Sequence, residues 1–141
     1  MSYVKIWIHI VWAVKERKKL LVKSLRPELI RHIKENAITK NIFIDEINCT
    51  SDHIHILISL GAKQTVSDVV RLLKGESSHW LNSKKKIKFS WQEDYYAASV
   101  CESIVDKVRE YIKNQEEHHR KKSFSEEAEE FLQKYGFGKV E

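Results

Sequence analysis

Hydrophobic and polar positions alternate along the start of the chain. Between Tyr3 and Lys15, one parity is apolar throughout, whereas the other mixes aromatic, charged and imidazole side chains. Successive residues of a strand point to opposite sides of a sheet, so this alternation predicts a strand with one face toward the core. The apolar parity consists of Val4, Ile6, Ile8, Ile10, Trp12 and Val14, and the other parity includes Lys5, Trp7 and His9.

The rest of the chain alternates between helical and extended patterns. Pro27 occupies a position typical of a first helical turn, and the apolar residues after it recur at helical spacing up to Ala37. Thr65 or Ser67 is placed to cap a second helix, which ends at a run of lysines. The other predicted elements are two antiparallel strands around Ile42–Ile47 and His53–Leu60, a last strand from Tyr95 to Cys101, a helix from Ser103 to about His119, and another from about Ser125 to Tyr135.

The order of these elements predicts the fold class. Strand, helix, strand, strand, helix, strand is the split βαβ order of ferredoxin-like α+β domains. We therefore expect a four-stranded antiparallel sheet with helices on one face and extra C-terminal helices. The chain has 141 residues, the length of one ordinary domain. We assign residues 1–141 to a single domain, with a helical extension over about residues 120–141.

Composition limits the class of protein. Lys and Arg number 25 against 20 Asp and Glu, a net charge of +5 that mildly favours a polyanionic partner. The two cysteines, Cys49 and Cys101, lack metal-site spacing and suit a reducing compartment. The apolar stretch from Tyr3 to Val14 is too short to span a membrane and lacks the cleavage site of a signal peptide. These features predict a cytoplasmic protein that does not engage a membrane.

The most specific local pattern is Asp52-His53-Ile54-His55, at the start of a predicted strand. Residues two apart on a strand share a face, so His53 and His55 point together. Two neutral imidazoles at this spacing are able to share a divalent cation, and Asp52 is placed to orient a ligand. If the first strand lies beside this one, His9 would approach the metal or its phosphate, and the alternative is a histidine hydrogen-bonded within the sheet. The alternative for His53 and His55 is a pair of surface histidines on the open side of a sheet.

A tyrosine and a glutamine one helical turn apart form a second pattern. Tyr111 and Gln115 lie on the border of the apolar stripe of the predicted helix, so they reach the same region. A tyrosine hydroxyl is a poor nucleophile unless its target is polarised, and a metal ion on a phosphodiester oxygen polarises it. Two imidazoles and the Gln115 amide oxygen would make a three-ligand site with positions left for phosphate. The alternative is an ordinary tyrosine at the edge of a packed helix.

Together these residues resemble the HUH single-tyrosine transposases of small bacterial insertion sequences and their relatives, the REP-associated tyrosine transposases. The resemblance extends over most of the chain, and its most specific block begins at Tyr111. The tail from Glu116 to Gly136 is more similar to the REP-associated branch. The matching segments are Ile10–Lys15 with the basic residues after it, Asp52–His55, Phe89–Tyr96 and Tyr111–His119.

The resemblance implies a site and a chemistry. In that family, two histidines and the glutamine after the tyrosine bind Mg²⁺ or Mn²⁺, and the tyrosine attacks single-stranded DNA to leave a 5′-phosphotyrosine. The matching positions are His53, His55 and Gln115 as metal ligands and Tyr111 as nucleophile, carried by a C-terminal helix. Imidazole ligands generally favour zinc-like ions, so the residues by themselves equally permit Zn²⁺. The expectation of Mg²⁺ or Mn²⁺ therefore rests on the resemblance.

The resemblance also implies a DNA partner, because family members recognise a hairpin beside a short cleavage sequence. We expect single-stranded hairpin DNA, in a bacterial or archaeal cytoplasm, and a homodimer, with a monomer as the alternative. Basic side chains would contact the phosphates, although solvated loops and helix ends explain such charges equally well. The candidate DNA-binding residues are Lys15, Arg17, Lys18, Lys19, Lys84, Lys85, Lys86, Arg120, Lys121 and Lys122.

The sequence thus predicts a transposase that cleaves single-stranded DNA and transfers the strand during DNA transposition. Three alternatives stay open. The first is a replication or conjugation nickase with the same chemistry, and the second is a domesticated hairpin-binding protein that no longer cuts. Retention of the histidine pair with Tyr111 argues against the second. The third is a metal-storing or regulatory ferredoxin-like domain, which predicts metal binding without salt-dependent affinity for DNA.

Overall fold

The computed structural model describes residues 1–115 as an antiparallel four-stranded sheet with three α-helices. The strand order is β2-β3-β1-β4, which is the predicted ferredoxin-like arrangement. The helical extension over about residues 120–141, with the helix expected near its centre, lies outside the described residues. The elements are β1 (Trp7–Ala13), α1 (Arg26–Thr39), β2 (Phe43–Cys49), β3 (His53–Ser59), α2 (Val66–Ser83), β4 (Tyr96–Val100) and α3 (Val105–Lys113).

The main hydrophobic core lies on one face of the sheet. There α1 and α2 pack against Ile8, Ile10 and Trp12 of β1, as the alternation predicts, whereas Val4 and Ile6 of the same parity are exposed. Ile10 and Trp12 are fully buried between the sheet and these helices. Burial of one such apolar side chain stabilises a fold by about 1.5–3 kcal/mol. The helices contribute Leu29, Ile33, Ala37, Val69, Val70, Leu73 and Leu81.

The boundaries of these elements follow from local chemistry. Pro27 lies in the first turn of α1, where its missing N–H breaks no helical hydrogen bond. Thr65 caps α2, because its Oγ1 accepts a hydrogen bond from the N–H of Asp68 at 3.2 Å. β1 begins at Trp7 rather than at the predicted Tyr3, since β3 offers ladder partners only from that residue onward. No helix among residues 1–115 has the length and apolar character needed to cross a bilayer.

The opposite face of the sheet is covered as well. The predicted C-terminal helix, α3, packs there in a separate hydrophobic cluster. α3 begins later than the predicted helix, since a 3₁₀ turn precedes it, and Asn114 leaves helical geometry, with φ −95° and ψ 24°. Residues 116–119 of the predicted helix lie outside the described residues. The expectation of helices on one face therefore describes α1 and α2, and α3 is the extra helix on the other. The cluster consists of Trp7, Leu57, Val100, Val105, Val108 and Ile112.

The two cysteines are free and differ sharply in environment. Cys49 is buried in the main core, and this burial raises the pKa of its thiol to about 12, whereas Cys101 is exposed. Thiolates are the reactive form, so an alkylating reagent at pH 8 is expected to modify Cys49 at least about a hundredfold more slowly than Cys101. Peptide mass spectrometry over time measures both rates in the folded protein. Equal rates for Cys49 and Cys101 in the absence of denaturant would contradict this packing.

Candidate functional site

His53 and His55 lie on β3 and point to the face that α3 covers. Both side chains are fully buried, and their ring centroids are 5.1 Å apart. The alternation of β3 places Ile54 and Ile56 in the main core, which leaves the imidazoles on the other face. The predicted convergence of the two rings is therefore present. Their burial rules out the alternative that both are surface histidines.

Polar neighbours orient the His53 ring. Its Nδ1 lies 2.8 Å from Asp52 Oδ1 and 2.8 Å from Thr50 Oγ1. A carboxylate only accepts hydrogen bonds, so in the neutral ring Nδ1 carries the proton and Nε2 presents its lone pair. Asp52 thus has the orienting position that the sequence predicts. Thr50, which was not predicted, lies 3.3 Å from the same carboxylate oxygen through its hydroxyl.

His9 orients the second ring. Because β1 pairs with β3, His9 projects to the same face as His55, and its Nε2 lies 3.0 Å from His55 Nδ1. One ring donates this hydrogen bond and the other accepts it. His55 therefore uses Nδ1 for this contact, and Nε2 is the nitrogen that a metal ion would use. The sequence left two possibilities for His9, an approach to the site or a hydrogen bond within the sheet, and the structure puts it in direct contact with a candidate ligand.

Tyr111 lies against the same histidines. Its ring centroid is 5.6 Å from that of His55 and 6.1 Å from that of His9, in edge-to-face geometry. The tyrosine belongs to the last turn of α3, and its side chain is only partly buried. A single chain thus brings together the candidate nucleophile and a candidate ligand that are 56 positions apart in the sequence.

Gln115 brings an amide to this region. The residue is fully buried, and its Nε2 donates a hydrogen bond to the Tyr111 carbonyl oxygen at 3.1 Å. Its Oε1 is also buried and accepts no hydrogen bond within the described part of the chain. A buried acceptor left in that state costs about 1–3 kcal/mol, so a ligand with positive charge would be favourable there.

These donors fit a divalent cation. Amide oxygen and imidazole nitrogen are both common metal ligands, and carboxylate, carbonyl and water oxygens suit Mg²⁺ and Mn²⁺. Residues 1–115 contain no cluster of three or more His, Cys, Asp and Glu side chains that could hold a metal. A cation held by His53 and His55 would gain a third protein ligand from the Gln115 amide oxygen.

Comparison with known proteins identifies the family. The family model described as IS200-like transposase matches residues 2–115. The transposase for insertion sequence element IS200 of Salmonella typhimurium is 32% identical over 114 residues, covering 76% of this chain and 74% of that protein. The chain belongs to the IS200-like transposase family. It is accordingly a transposase, with a function in transposition.

Further relatives support the family and its fold. The ISDra2 transposase TnpA of Deinococcus radiodurans is 26% identical over 114 residues, covering 76% of this chain and 81% of that protein. A REP-associated tyrosine transposase bound to a REP hairpin superposes with a TM-score of 0.64 at 18% identity, covering 84% of this chain and 72% of that one. A proposed transposase from Deinococcus radiodurans has a TM-score of 0.62 at 24% identity, with 82% and 95% covered.

In this IS200-like transposase, the first basic segment lies beside the histidines. The N–H of Val14 donates to the Asp52 carbonyl oxygen at 2.7 Å, so the turn after β1 starts next to the His53 end of β3. That turn is unusual, because Glu16 and Arg17 have left-handed φ values of 59° and 53°. The predicted DNA-binding residues of this segment are all exposed, namely Lys15, Arg17, Lys18 and Lys19.

The second basic segment follows α2, at the same end of the sheet. The segment leads into residues 90–92, which join the turn after β1 through hydrogen bonds from Lys15 N to Ser90 O and from Gln92 N to Ala13 O. Lys84 and Lys86 are exposed. Lys85 forms an ion pair, because its Nζ lies 2.9 Å from a Glu28 carboxylate oxygen. The third predicted segment, Arg120, Lys121 and Lys122, lies outside the described residues.

An open cleft lies beside the basic turn. It has a volume of about 610 Å³ and is lined by Glu16, Arg17 and Gln92. Lys74 contacts the segment that contains Gln92, since its Nζ donates to the carbonyl oxygens of Gln92 and Glu93 at 2.7 and 2.9 Å. Burial lowers the pKa of Lys74, although Asp94 and Glu93 act in the opposite direction. One side of this surface cleft is therefore a backbone segment that Lys74 holds in place, next to the basic turn.

Proposed function

We propose that this transposase cuts single-stranded DNA beside a hairpin through a covalent bond to Tyr111, and that it rejoins the strand by the reverse reaction. The observation that carries this proposal is the contact of the Tyr111 ring with His55 and His9, beside the buried Gln115 amide. The Nδ1 atoms of His53 and His55 are both held by other side chains, which orients the two rings beside this tyrosine. This arrangement supports a role for Tyr111 in phosphoryl transfer.

The proposed reaction is balanced within the protein and the DNA. The Tyr111 hydroxyl oxygen attacks the phosphorus of one phosphodiester, and the bond from phosphorus to the 3′ oxygen breaks. The proton that leaves tyrosine is matched by the proton gained at the leaving 3′ oxygen. One DNA fragment then ends in a 3′ hydroxyl, and the other is joined to Tyr111 through its 5′ phosphate. Attack by a 3′ hydroxyl on this ester reverses the step without an external energy source.

The residues that would hold Mg²⁺ or Mn²⁺ are His53, His55 and Gln115. When bound, the cation would polarise a nonbridging oxygen of the phosphate and so favour attack by Tyr111. His9 and Asp52 keep the two imidazoles in orientation through the contacts at Nδ1. The short α3 helix presents Tyr111 at the edge of this pair, where its partly buried ring remains within reach of DNA.

We further propose that the basic turn after β1 binds phosphates of the DNA. Replacing Lys18 and Lys19 together by glutamine is expected to weaken binding of a single-stranded hairpin and to reduce the slope of log affinity against log salt by about 0.7 for each phosphate that is no longer neutralised. Fluorescence anisotropy at salt concentrations from about 50 to about 300 mM measures both the affinity and this slope. The matched control replaces the exposed Lys34 and Lys63, away from the histidine end. Equal slopes in the two double variants would contradict this surface.

The proposed homodimer is tested separately. Tyr111 and His55 already meet within one chain, so a partner chain would not be needed to join nucleophile and ligand. Light scattering across protein concentrations measures the oligomeric state. Mixing Tyr111→Phe chains with His53→Ala chains then reports whether residues of two chains act together, because only shared sites would regain cleavage.

The experiment that tests the function uses labelled hairpin oligonucleotides with single-stranded flanks and added Mg²⁺ or Mn²⁺. On a denaturing gel, a label at the 3′ end of the DNA is expected to move with the protein, whereas a label at the 5′ end marks a shorter fragment with an extendable 3′ hydroxyl. A chelator should prevent both products. If the hairpin binds with salt-sensitive affinity but no product forms at any metal concentration, the chain is a non-cutting DNA-binding protein.

A further inference from the structure

We propose that Asn48 and Asp45 of β2 are positioning residues that hold Tyr111 at the histidine pair. This inference rests on the proposed function, since it concerns the same site. Neither residue follows from the motif pattern, and both contact α3 rather than the reacting groups. Their role would be to fix the distance between the tyrosine helix and the strand that carries the candidate metal ligands.

α3, the helix that carries Tyr111, needs contacts with the rest of the protein to be stable. α3 has nine residues, and helices of this length are marginal in water without tertiary contacts. Its apolar side packs in the small second cluster, which is separate from the main core. That cluster lies toward Trp7 and Val100, at the start of β1 and the end of β4, whereas the histidines extend toward the other end of the sheet. At the Tyr111 end of α3, the members of this cluster are Ile112 and the partly buried Tyr111, and polar contacts supply further restraint.

Asn48 restrains this end. Its Nδ2 donates hydrogen bonds to the carbonyl oxygens of Ile112 and Lys113 at 3.0 and 3.1 Å. These carbonyls belong to the last turn of α3, and the Asn48 amide supplies them with a donor from outside the helix. Asn48 is also the direct cross-strand partner of His55. The Asn48 side chain thus links β2, at the position beside His55, to the last turn of α3, which carries Tyr111.

Asp45 restrains the middle of the same helix. The ladder between β2 and β3 shifts between Ile44 and Glu46, so Asp45 occupies a bulge that redirects its side chain. Both oxygens of its carboxylate accept from Arg109, at 2.7 Å from Nε and 3.0 Å from the terminal nitrogen. The guanidinium also lies 5.3 Å from the centre of the Trp7 ring. A two-point carboxylate contact fixes orientation as well as distance.

The expected consequence concerns rate rather than DNA affinity. Displacement of a nucleophile by about 1 Å is able to cost a hundredfold in rate, because the reacting atoms are no longer aligned. Neither Asn48 nor Asp45 lies in the basic turn or in the candidate ligand set. Replacing either residue should therefore slow covalent attachment while oligonucleotide binding and Mn²⁺ binding are retained.

The test uses Asn48→Asp, which keeps the side-chain shape but replaces the two donors with an oxygen facing two carbonyls. The single-turnover rate of covalent attachment is expected to fall at least about tenfold, with the oligonucleotide dissociation constant within about twofold of wild type. Amide hydrogen exchange should accelerate in α3 and stay unchanged in β1 and β3. Asn36→Asp on α1 is the matched control and should behave as wild type, since its side chain accepts from Lys40.

A second route keeps the proposal testable if Asn48→Asp is unstable. Asp45→Asn, Arg109→Gln and the double variant form a cycle in which the reductions in rate should not add, because each change breaks the same contact. The proposal is overturned if α3 exchange and the attachment rate of Asn48→Asp equal those of wild type, or if exchange rises equally in β1 and β3. If wild type itself forms no adduct, the proposed function fails, and faster exchange confined to α3 still supports the positioning contacts.

Discussion

Replacing Tyr111 by phenylalanine is expected to abolish covalent attachment to DNA, with a reduction of more than about a thousandfold in the single-turnover rate. The substitution removes only the hydroxyl, which is the proposed nucleophile. The ring that contacts His9 and His55 stays, so the packing of α3 and the affinity for hairpin DNA should change little. A denaturing gel measures the adduct, and anisotropy measures binding of the same oligonucleotide.

The matched control for this result is Tyr96→Phe. Tyr96 lies on β4, and its ring packs on the sheet face that also carries the histidines. It is thus the competing tyrosine on that face, and its variant should attach to DNA at the wild-type rate. Attachment that survives in Tyr111→Phe, or that disappears in Tyr96→Phe alone, would assign the nucleophile elsewhere.

Replacing His53 by alanine is the second change with a large expected effect. Removal of one of three proposed ligands should weaken Mn²⁺ binding at least about tenfold and prevent cleavage at ordinary metal concentrations. Calorimetric titration with Mn²⁺ measures the first effect independently of activity. His53 is buried against Asp52 and Thr50, so the alanine variant also leaves these two polar side chains without the imidazole that they contact. His53→Gln keeps a polar side chain at this position and is therefore the less disruptive second variant.

The control for this prediction is His32→Ala. His32 lies on α1, where it contacts Glu76 at 3.2 Å and stacks on Trp80, so it is remote from the histidine pair. Its replacement should leave Mn²⁺ affinity and cleavage unchanged. A His53→Gln chain that stays folded and binds Mn²⁺ as tightly as wild type would remove His53 from the ligand set.

Much of the fold could be predicted because local patterns and tertiary structure agree. The parity of β1 identified the residues that enter the main core, such as Ile10 and Trp12. Pro27 located the start of α1, and Thr65 or Ser67 located that of α2, because proline suits a first helical turn and a hydroxyl accepts from an unpaired N–H there. The order of strands and helices then left the split βαβ arrangement as the natural topology.

Features that depend on contacts between distant segments were beyond the sequence. The pattern allowed His53 and His55 to be either buried or exposed, because a strand face reveals nothing about what covers it. The role of Asn48 also depends on where α3 ends. Asparagine is disfavoured in strands, so its place in β2 was a signal that sequence reasoning left unused. The break in helical geometry at Asn114 was likewise hidden, because Asn114 and Gln115 fit a continuing helix.

The most direct test of the account is to identify the residue that becomes joined to DNA. After incubation with a hairpin oligonucleotide and Mn²⁺, the adduct is digested with nuclease and trypsin and sequenced by mass spectrometry. Cleavage after Arg109 and Lys113 releases a peptide in which Tyr111 is the only tyrosine. We predict a nucleotide phosphate on the hydroxyl of that tyrosine, formed only with metal. A modified residue in any other peptide, or a metal-independent adduct, would contradict the proposed chemistry.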